Sequence, residues 1–230
     1  MLKLPDLYFG TFIKRYKRFF VDITFNNKTI TIHNPNTGSM KPLLEKGRKV
    51  VFSMSENEKR KLKYTMEGIE VDNHWLYTNT IAVNKIVEYA IIDKEIAELE
   101  NYTEIKREFR YKDSRIDFLI TLGDSTKVLC EVKNVTMFDD KYAYFPDAVT
   151  TRGLKHLLTL AKSKNDGYKP VMLYIIQSNN DRFRCADFID EVYCKTLRNL
   201  GNEINVLLYK NIFDPQGRTC RLSKLNYTQL

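Results

Sequence analysis

Between residues 8 and 25, β-branched and aromatic residues dominate, with Lys14, Arg15, Lys17 and Arg18 interleaved among them. Asn26-Asn27-Lys28 follows as a turn, and residues 29–33 read as a second strand. Residues 48–53, 61–66 and 68–73 read as further short strands. Several short strands in so small and basic a segment predict a compact barrel of the OB type over residues 1–80.

The period changes near residue 80. Ile81, Val83, Ile86, Val87, Ala90 and Ile91 recur at helical spacing, and Asn84 and Glu88, four apart, share one face of that helix. Residues 105–111 return to strict alternation, predicting Ile105, Arg107, Phe109 and Tyr111 on one face and Lys106, Glu108 and Arg110 on the other. Two apolar-rich runs within 114–133 flank a Gly-Asp-Ser turn and read as a hairpin. Leu154, Leu157, Leu158 and Ala161 predict another helix, residues 171–177 a buried parallel strand, 187–200 a helix stopped by Gly201, and 204–209 a last strand. From residue 81 to 230 the order is helix, three strands, helix, strand, helix, strand. That is a mixed α/β sheet covered by helices.

The central hairpin carries the chemistry. Asp117 lies between Ile116 and Phe118, in a run where a carboxylate is costly to bury unless paired or holding a metal. Glu131 and Lys133 share one face of the adjacent strand. Asp, then Glu-x-Lys, on neighbouring strands is what a Mg²⁺-dependent nuclease needs. Two hard oxygen donors hold the ion, and an ammonium orients the attacking water or offsets developing charge. The competing reading is a buried ion pair with Lys133 that only specifies register. Glu88 from the helix, or Glu108 from the preceding strand, is available to complete the cluster, unless Glu108 pairs with Arg110 or Arg115. Arg152, Lys155 and His156 lie close together on the polar side of the following helix and are candidates to hold a phosphate or a strand.

Charge sharpens this picture. The 230 residues carry 37 Lys+Arg against 29 Asp+Glu, a net charge of +8. Residues 1–80 hold 14 against 8 and residues 81–230 hold 23 against 21, so a polyanion-binding surface is expected in the first third. OB-type barrels grip nucleic acid with a basic groove and aromatic platforms, roles that fit Arg15, Tyr16, Lys17 and Arg18. Residues 33–40 (His-Asn-Pro-Asn-Thr-Gly-Ser-Met) form a loop by every local signal. Asn36, Thr37 and Ser39 offer amide, hydroxyl and backbone N–H groups suited to cradling phosphate, although no Gly-Lys-Ser/Thr follows and local signals alone favour a structural Asx turn. Four separated cysteines form neither a Cys-x-x-Cys pair nor a zinc pattern. With no signal segment and no bilayer-length apolar run, a reduced cytoplasmic protein without membrane contact is expected.

Read together, several motifs resemble the sugar fermentation stimulation protein family, SfsA. They are Arg15-Tyr16-Lys17-Arg18 with residues 19–22, the 33–40 loop, residues 60–65 (Arg-Lys-Leu-Lys-Tyr-Thr), Ser114-Arg115-Ile116-Asp117-Phe118, residues 131–136 (Glu-Val-Lys-Asn-Val-Thr), and residues 145–157 with Pro146-Asp147, Arg152-Gly153 and Lys155-His156. The resemblance runs from near residue 8 to near residue 210. It implies an N-terminal OB-like domain, a second domain like the PD-(D/E)xK nucleases, DNA binding without marked sequence preference, and a role in regulating sugar (maltose) metabolism genes. On the nuclease pattern Asp117 and Glu131 are the metal ligands, Lys133 is the catalytic lysine, and Glu88 or Glu108 is the added acid. Ile116 stands where that pattern has Pro. The expectation is thus a two-domain DNA-binding protein able to hold Mg²⁺ or Mn²⁺, its oligomeric state left open with a homodimer included. The alternative is an active Mg/Mn-dependent nuclease on DNA or RNA, with Arg152 or His156 on the phosphate. No sugar-binding motif supports a sugar-metabolising enzyme.

Overall fold

The structure is a computed structural model that describes residues 2–225. The first part contains strands β1 (Leu2–Lys3), β2 (Leu7–Tyr16), β3 (Phe20–Phe25), β4 (Lys28–His33), β5 (Lys49–Met54), β6 (Tyr64–Val71) and β7 (His74–Tyr77). The second contains α1 (Thr80–Ile92), β8 (Tyr102–Tyr111), β9 (Ser114–Leu122), β10 (Lys127–Val135), β11 (Met137–Phe138), β12 (Ala143–Phe145), α2 (Thr151–Ser163), β13 (Lys169–Ile176), β14 (Phe183–Cys185), α3 (Glu191–Leu200), β15 (Asn205–Asp214) and β16 (Thr219–Lys224).

Strands β4-β3-β2-β5-β6-β7 form one six-stranded sheet that curls shut where His33 of β4 meets Thr65 of β6. Its interior is packed by Phe12, Val21, Ile23, Ile32, Phe52, Met66 and Ile69, all buried. The apolar run from residue 8 to 25 is two strands, because Lys17 and Arg18 take positive φ (+48° and +63°) and turn the chain. Those two cations therefore sit in a hairpin turn, not on a strand face. The stretches expected as strands over 61–66 and 68–73 merge into one strand, β6, that covers only 64–71, and a second left-handed pair, Asp72-Asn73, leads into β7, which strand spacing alone does not reveal.

The second sheet runs β1-β16-β15-β13-β10-β9-β8, so the chain's first strand closes its far edge and the barrel begins at β2. Helix α1 packs on one face, burying Val83, Ile86, Val87 and Ile91 against Phe118, Ile120, Cys130 and Leu173. Helices α2 and α3 cover the other, burying Leu157, Leu160 and Leu197 against Ile116, Leu129, Met172 and Tyr174. β13 pairs in parallel with both β10 and β15, which explains its unbroken apolar run. The predicted helix over 187–200 starts only at Glu191, where Asp190 caps it by accepting the Tyr193 N–H.

Strict alternation fails in β8. Ile105 and Arg107 face α1, whereas Phe109 and Tyr111 face the α2 side. Glu108 between them has φ +52°, and this left-handed residue rotates the strand's faces. The cysteines also depart from expectation. Cys185 in β14 and Cys194 in α3 have Cα atoms 5.6 Å apart and form a disulfide, while Cys130 and Cys220 are buried thiols. Among the described residues no helix is long and apolar enough to cross a membrane.

A buried carboxylate joins the two sheets. Glu67 of β6, 4% exposed, accepts hydrogen bonds from Ser53 Oγ (2.6 Å), Tyr77 OH (2.7 Å) and Asn79 Nδ2 (2.9 Å). Burial pushes its pKa up, against those three donors. Asn79 is also the N-cap of α1, its Oδ1 accepting the Ile81 and Ala82 N–H groups. The barrel thus holds the start of the helix that reaches the second sheet. Asn79→Ala removes both the cap and one donor to Glu67. It is expected to lower the unfolding free energy in urea by about 2–4 kcal/mol, the cap contributing about 1 of this.

Candidate active site

The ladder between β9 and β10 ends at the Phe118–Cys130 pair, although β10 continues beside β13 to Val135. Past that point the two strands part, and carboxylates take up backbone groups that the ladder leaves. Asp117 Oδ2 accepts the Val132 N–H at 2.8 Å, and Glu131 Oε2 lies 3.4 Å from the Asp117 N–H. The layers on each side complete the cluster. From α1, Asn84 Nδ2 donates to Asp117 Oδ1 at 2.7 Å. From α2, His156 Nδ1 donates to Glu131 Oε1, the same oxygen that Lys133 Nζ meets at 2.7 Å. Glu131 and His156 are 3% and 6% exposed.

The two carboxylates are electrostatically unequal. Burial, then the neighbouring charge of Glu131, pushes the Asp117 pKa up to about 6. Burial acts upward on Glu131 as well, but His156 and Lys133 more than offset it and hold its carboxyl below the usual range. Two adjacent hard oxygen donors, one of them short of positive partners, suit a small divalent ion that keeps several of its waters. Among the described residues no group of three or more His, Cys, Asp and Glu side chains is arranged to hold a metal. Glu88 instead meets Arg107 at 3.4 Å, and Glu108 meets Arg115 at 2.6 Å. Neither lines the cleft above Asp117, so Asp117 and Glu131 are the carboxylates on its floor, and the third carboxylate of the lining, Asp147, is held at the mouth by the Ser39 N–H.

That cleft has a volume of about 500 Å³ and lies between the two sheets. Its floor is Asp117, Glu131 and Lys133; its walls are the loop at Asn36 and Thr37, the start of α1, the segment 145–150, and Arg152 at the start of α2. The loop at 33–40 therefore faces the second domain, where the Ser39 N–H bonds to Asp147 Oδ2 at 3.1 Å. A Cβ at Gly38 would run into the Asp147 carboxylate, so a larger residue there would push that side chain from its place beside the Ser39 N–H. Arg15 supports this loop from below. Its guanidinium donates to the carbonyls of Arg18, Asn36, Gly38 and Ser39, a structural use that corrects its reading as a backbone-gripping cation.

Other expected contacts are scattered. Tyr16 stacks on Phe20 and reaches Asp22, in the same hairpin as the exposed Lys17 and Arg18. Lys155 pairs with Asp113 at 2.8 Å, outside the cleft lining, so Arg152 and Lys155 do not act together. Sequence spacing missed two participants. Asn84 shares a helix face with Glu88, yet it is Asn84 that reaches Asp117, and Asp147 lies in a quoted motif without any local sign of its bridge to Ser39.

The chain is thus a two-domain protein, an OB-type barrel packed on a mixed α/β sheet that carries Asp and Glu-x-Lys where two central strands part. The chain belongs to the sugar fermentation stimulation protein family: residues 13–78 match the SfsA N-terminal OB domain, and residues 81–217 match the sugar fermentation stimulation protein RE domain. It is 44% identical over 219 residues to the sugar fermentation stimulation protein homolog of Shewanella frigidimarina, covering 93% of this chain and 94% of that one. It is 46% identical over 187 residues to the homolog of Pelagibacter ubique, covering 80% of each. The solved Pyrococcus furiosus SfsA, in complex with Ca²⁺, superposes with a TM-score of 0.88 at 21% identity, over 100% of this chain and 98% of that one, and so shares the fold.

Because the folded-state pKa of Asp117 lies above its unfolded value, its contribution to stability is fully present below about pH 4 and is lost as pH rises through about 6. Asp117→Asn is therefore expected to raise unfolding stability at pH 8 by up to about 3 kcal/mol, with Asn84 turning its own amide to suit, and to give no gain below about pH 4. Urea unfolding across pH 4–8 reads this directly.

Proposed function

We propose that this protein is a cytoplasmic, metal-dependent nuclease that binds DNA without marked sequence preference and cleaves its phosphodiesters in the cleft. The observation that carries this reading is the meeting of Asp117, Glu131 and Lys133 on the cleft floor. Asp117 and Glu131 are the residues that would hold Mg²⁺ or Mn²⁺. The Ca²⁺ bound by the Pyrococcus furiosus protein, another hard divalent ion, is consistent with that donor set. Such an ion supplies Lewis-acid polarisation of the phosphate and a water acidic enough to attack at neutral pH. Lys133, anchored through Glu131, would orient an attacking water and offset charge developing on the phosphate. Arg152, at the start of α2, holds a phosphate oxygen. His156 is too buried to touch the substrate and acts by fixing the rotamer and charge of Glu131. The basic hairpin at Lys17 and Arg18 adds sequence-independent attraction for the backbone.

A second reading keeps the binding and drops the cleavage, leaving a DNA-binding regulator of sugar (maltose) metabolism genes. It is favoured by the name the relatives carry, sugar fermentation stimulation. Labelled single- and double-stranded DNA with Mg²⁺ or Mn²⁺ separates the two. Cleavage by the wild type is expected, reduced roughly 10²–10³-fold by Lys133→Ala and at least as far by Asp117→Ala. Intact binding with no cleavage would leave only the regulator. In either case affinity for duplex DNA is expected to fall with rising salt, and Lys17→Ala with Arg18→Ala to flatten that slope.

A further inference from the structure

Bordered by the Ser39–Asp147 bridge is a second concavity of about 400 Å³, unlike the cleft in chemistry. Its lining is mostly apolar and aromatic, with Met40, Phe138, Tyr144 and Phe188 among the polar Lys41, Asp139 and Asp147. Asp147 lines both the groove and the cleft, so the two adjoin at that residue.

The aromatic wall is held in place. Tyr144 OH donates to Asp139 Oδ2 at 2.7 Å, and its ring meets Phe188 edge-to-face, with centroids 5.4 Å apart and planes at 81°. The turn carrying Phe188 is fixed by the Ile189 N–H to the Ala186 carbonyl (2.9 Å) and, through Asp190, to the Thr150 N–H on the cleft lip (2.8 Å). Phe188 nonetheless remains 70% exposed. Asp147 spends Oδ2 on Ser39, which leaves Oδ1 to accept from an N–H donor. Exposed Lys41 lines the same groove.

We propose that this groove is a stacking site for one unpaired nucleobase of a single strand whose backbone passes into the cleft. The inference rests on the nuclease reading and adds its substrate class: single-stranded or flapped nucleic acid rather than continuous duplex. A base presents a flat apolar face to Phe188 and polar N–H edges to Asp147, while Lys41 meets a flanking phosphate. A carboxylate at the inner end disfavours an anionic headgroup or an acidic peptide. A base held in a duplex stack cannot enter.

The test uses the full chain in EDTA, so that it reads binding and stays independent of cleavage. Fluorescein-labelled 12-nucleotide single strands, each with one abasic site at a different position, are titrated by anisotropy alongside the matching duplex. One abasic position is expected to weaken wild-type binding roughly tenfold. Phe188→Ala is expected to bind the intact strand as weakly as that, to be indifferent to the same abasic site, and to bind duplex as the wild type does. Phe188→Trp is expected to retain the wild-type pattern. Equal binding of the intact strand by wild type and Phe188→Ala overturns the proposal, as does an abasic penalty that persists undiminished in the variant. Failure of cleavage in metal with this pattern intact would remove the nuclease reading alone.

Discussion

Two central strands that stop pairing while both continue create a problem of unsatisfied backbone groups, and the site is the solution to it. Beyond Phe118 and Cys130, the Val132 N–H turns to the carboxylate of Asp117. A buried N–H without a partner costs about 1–3 kcal/mol, so the gap requires an acceptor. Placing a carboxylate there brings a charge, and Glu131 next to it brings a second. Lys133 and His156 neutralise Glu131 and leave Asp117 with its raised pKa. The same arrangement that completes the sheet therefore leaves a local need for positive charge at the cleft floor.

The two domains are tied at both ends of this cluster. Glu67 grips Asn79, which caps α1, and α1 delivers Asn84 to Asp117. At the cleft mouth the Ser39 N–H meets Asp147, and Arg15 holds the loop that presents it. Residues with no direct part in the chemistry thus set the width of the space above Asp117. The barrel supplies one wall of the site as well as its basic hairpin.

Much of this was readable from the chain. Alternation and turn residues mark the barrel; the unbroken apolar run marks β13; Asp117 and Glu131-x-Lys133 stand out because carboxylates in apolar strands need a reason. Where reading failed, it failed at positions governed by backbone conformation or by distant partners. Glu108 looks like an inward acid in an alternating strand, but its positive φ switches the faces and Arg115 takes its carboxylate. Arg15 looks like a phosphate ligand because it stands among cations, yet four carbonyls engage it from the chain around residues 18–39. Lys17 and Arg18 look like strand residues until their left-handed φ makes them a turn.

The sequence by itself determined the main strands and helices of both domains, though not all their bounds, and which few charges lie where apolar packing makes charge expensive. Those are local properties, set by periodicity and by the cost of burying a carboxylate. The tertiary structure decided the partners: that His156 rather than a third acid reaches Glu131, that Asn84 rather than Glu88 reaches Asp117, and that Ser39 meets Asp147 across 108 residues. Such pairings depend on where β9 and β10 part and how each helix crosses the sheet. No spacing along a single chain carries that information, because hydrogen bonds between elements are fixed by the packing of whole faces.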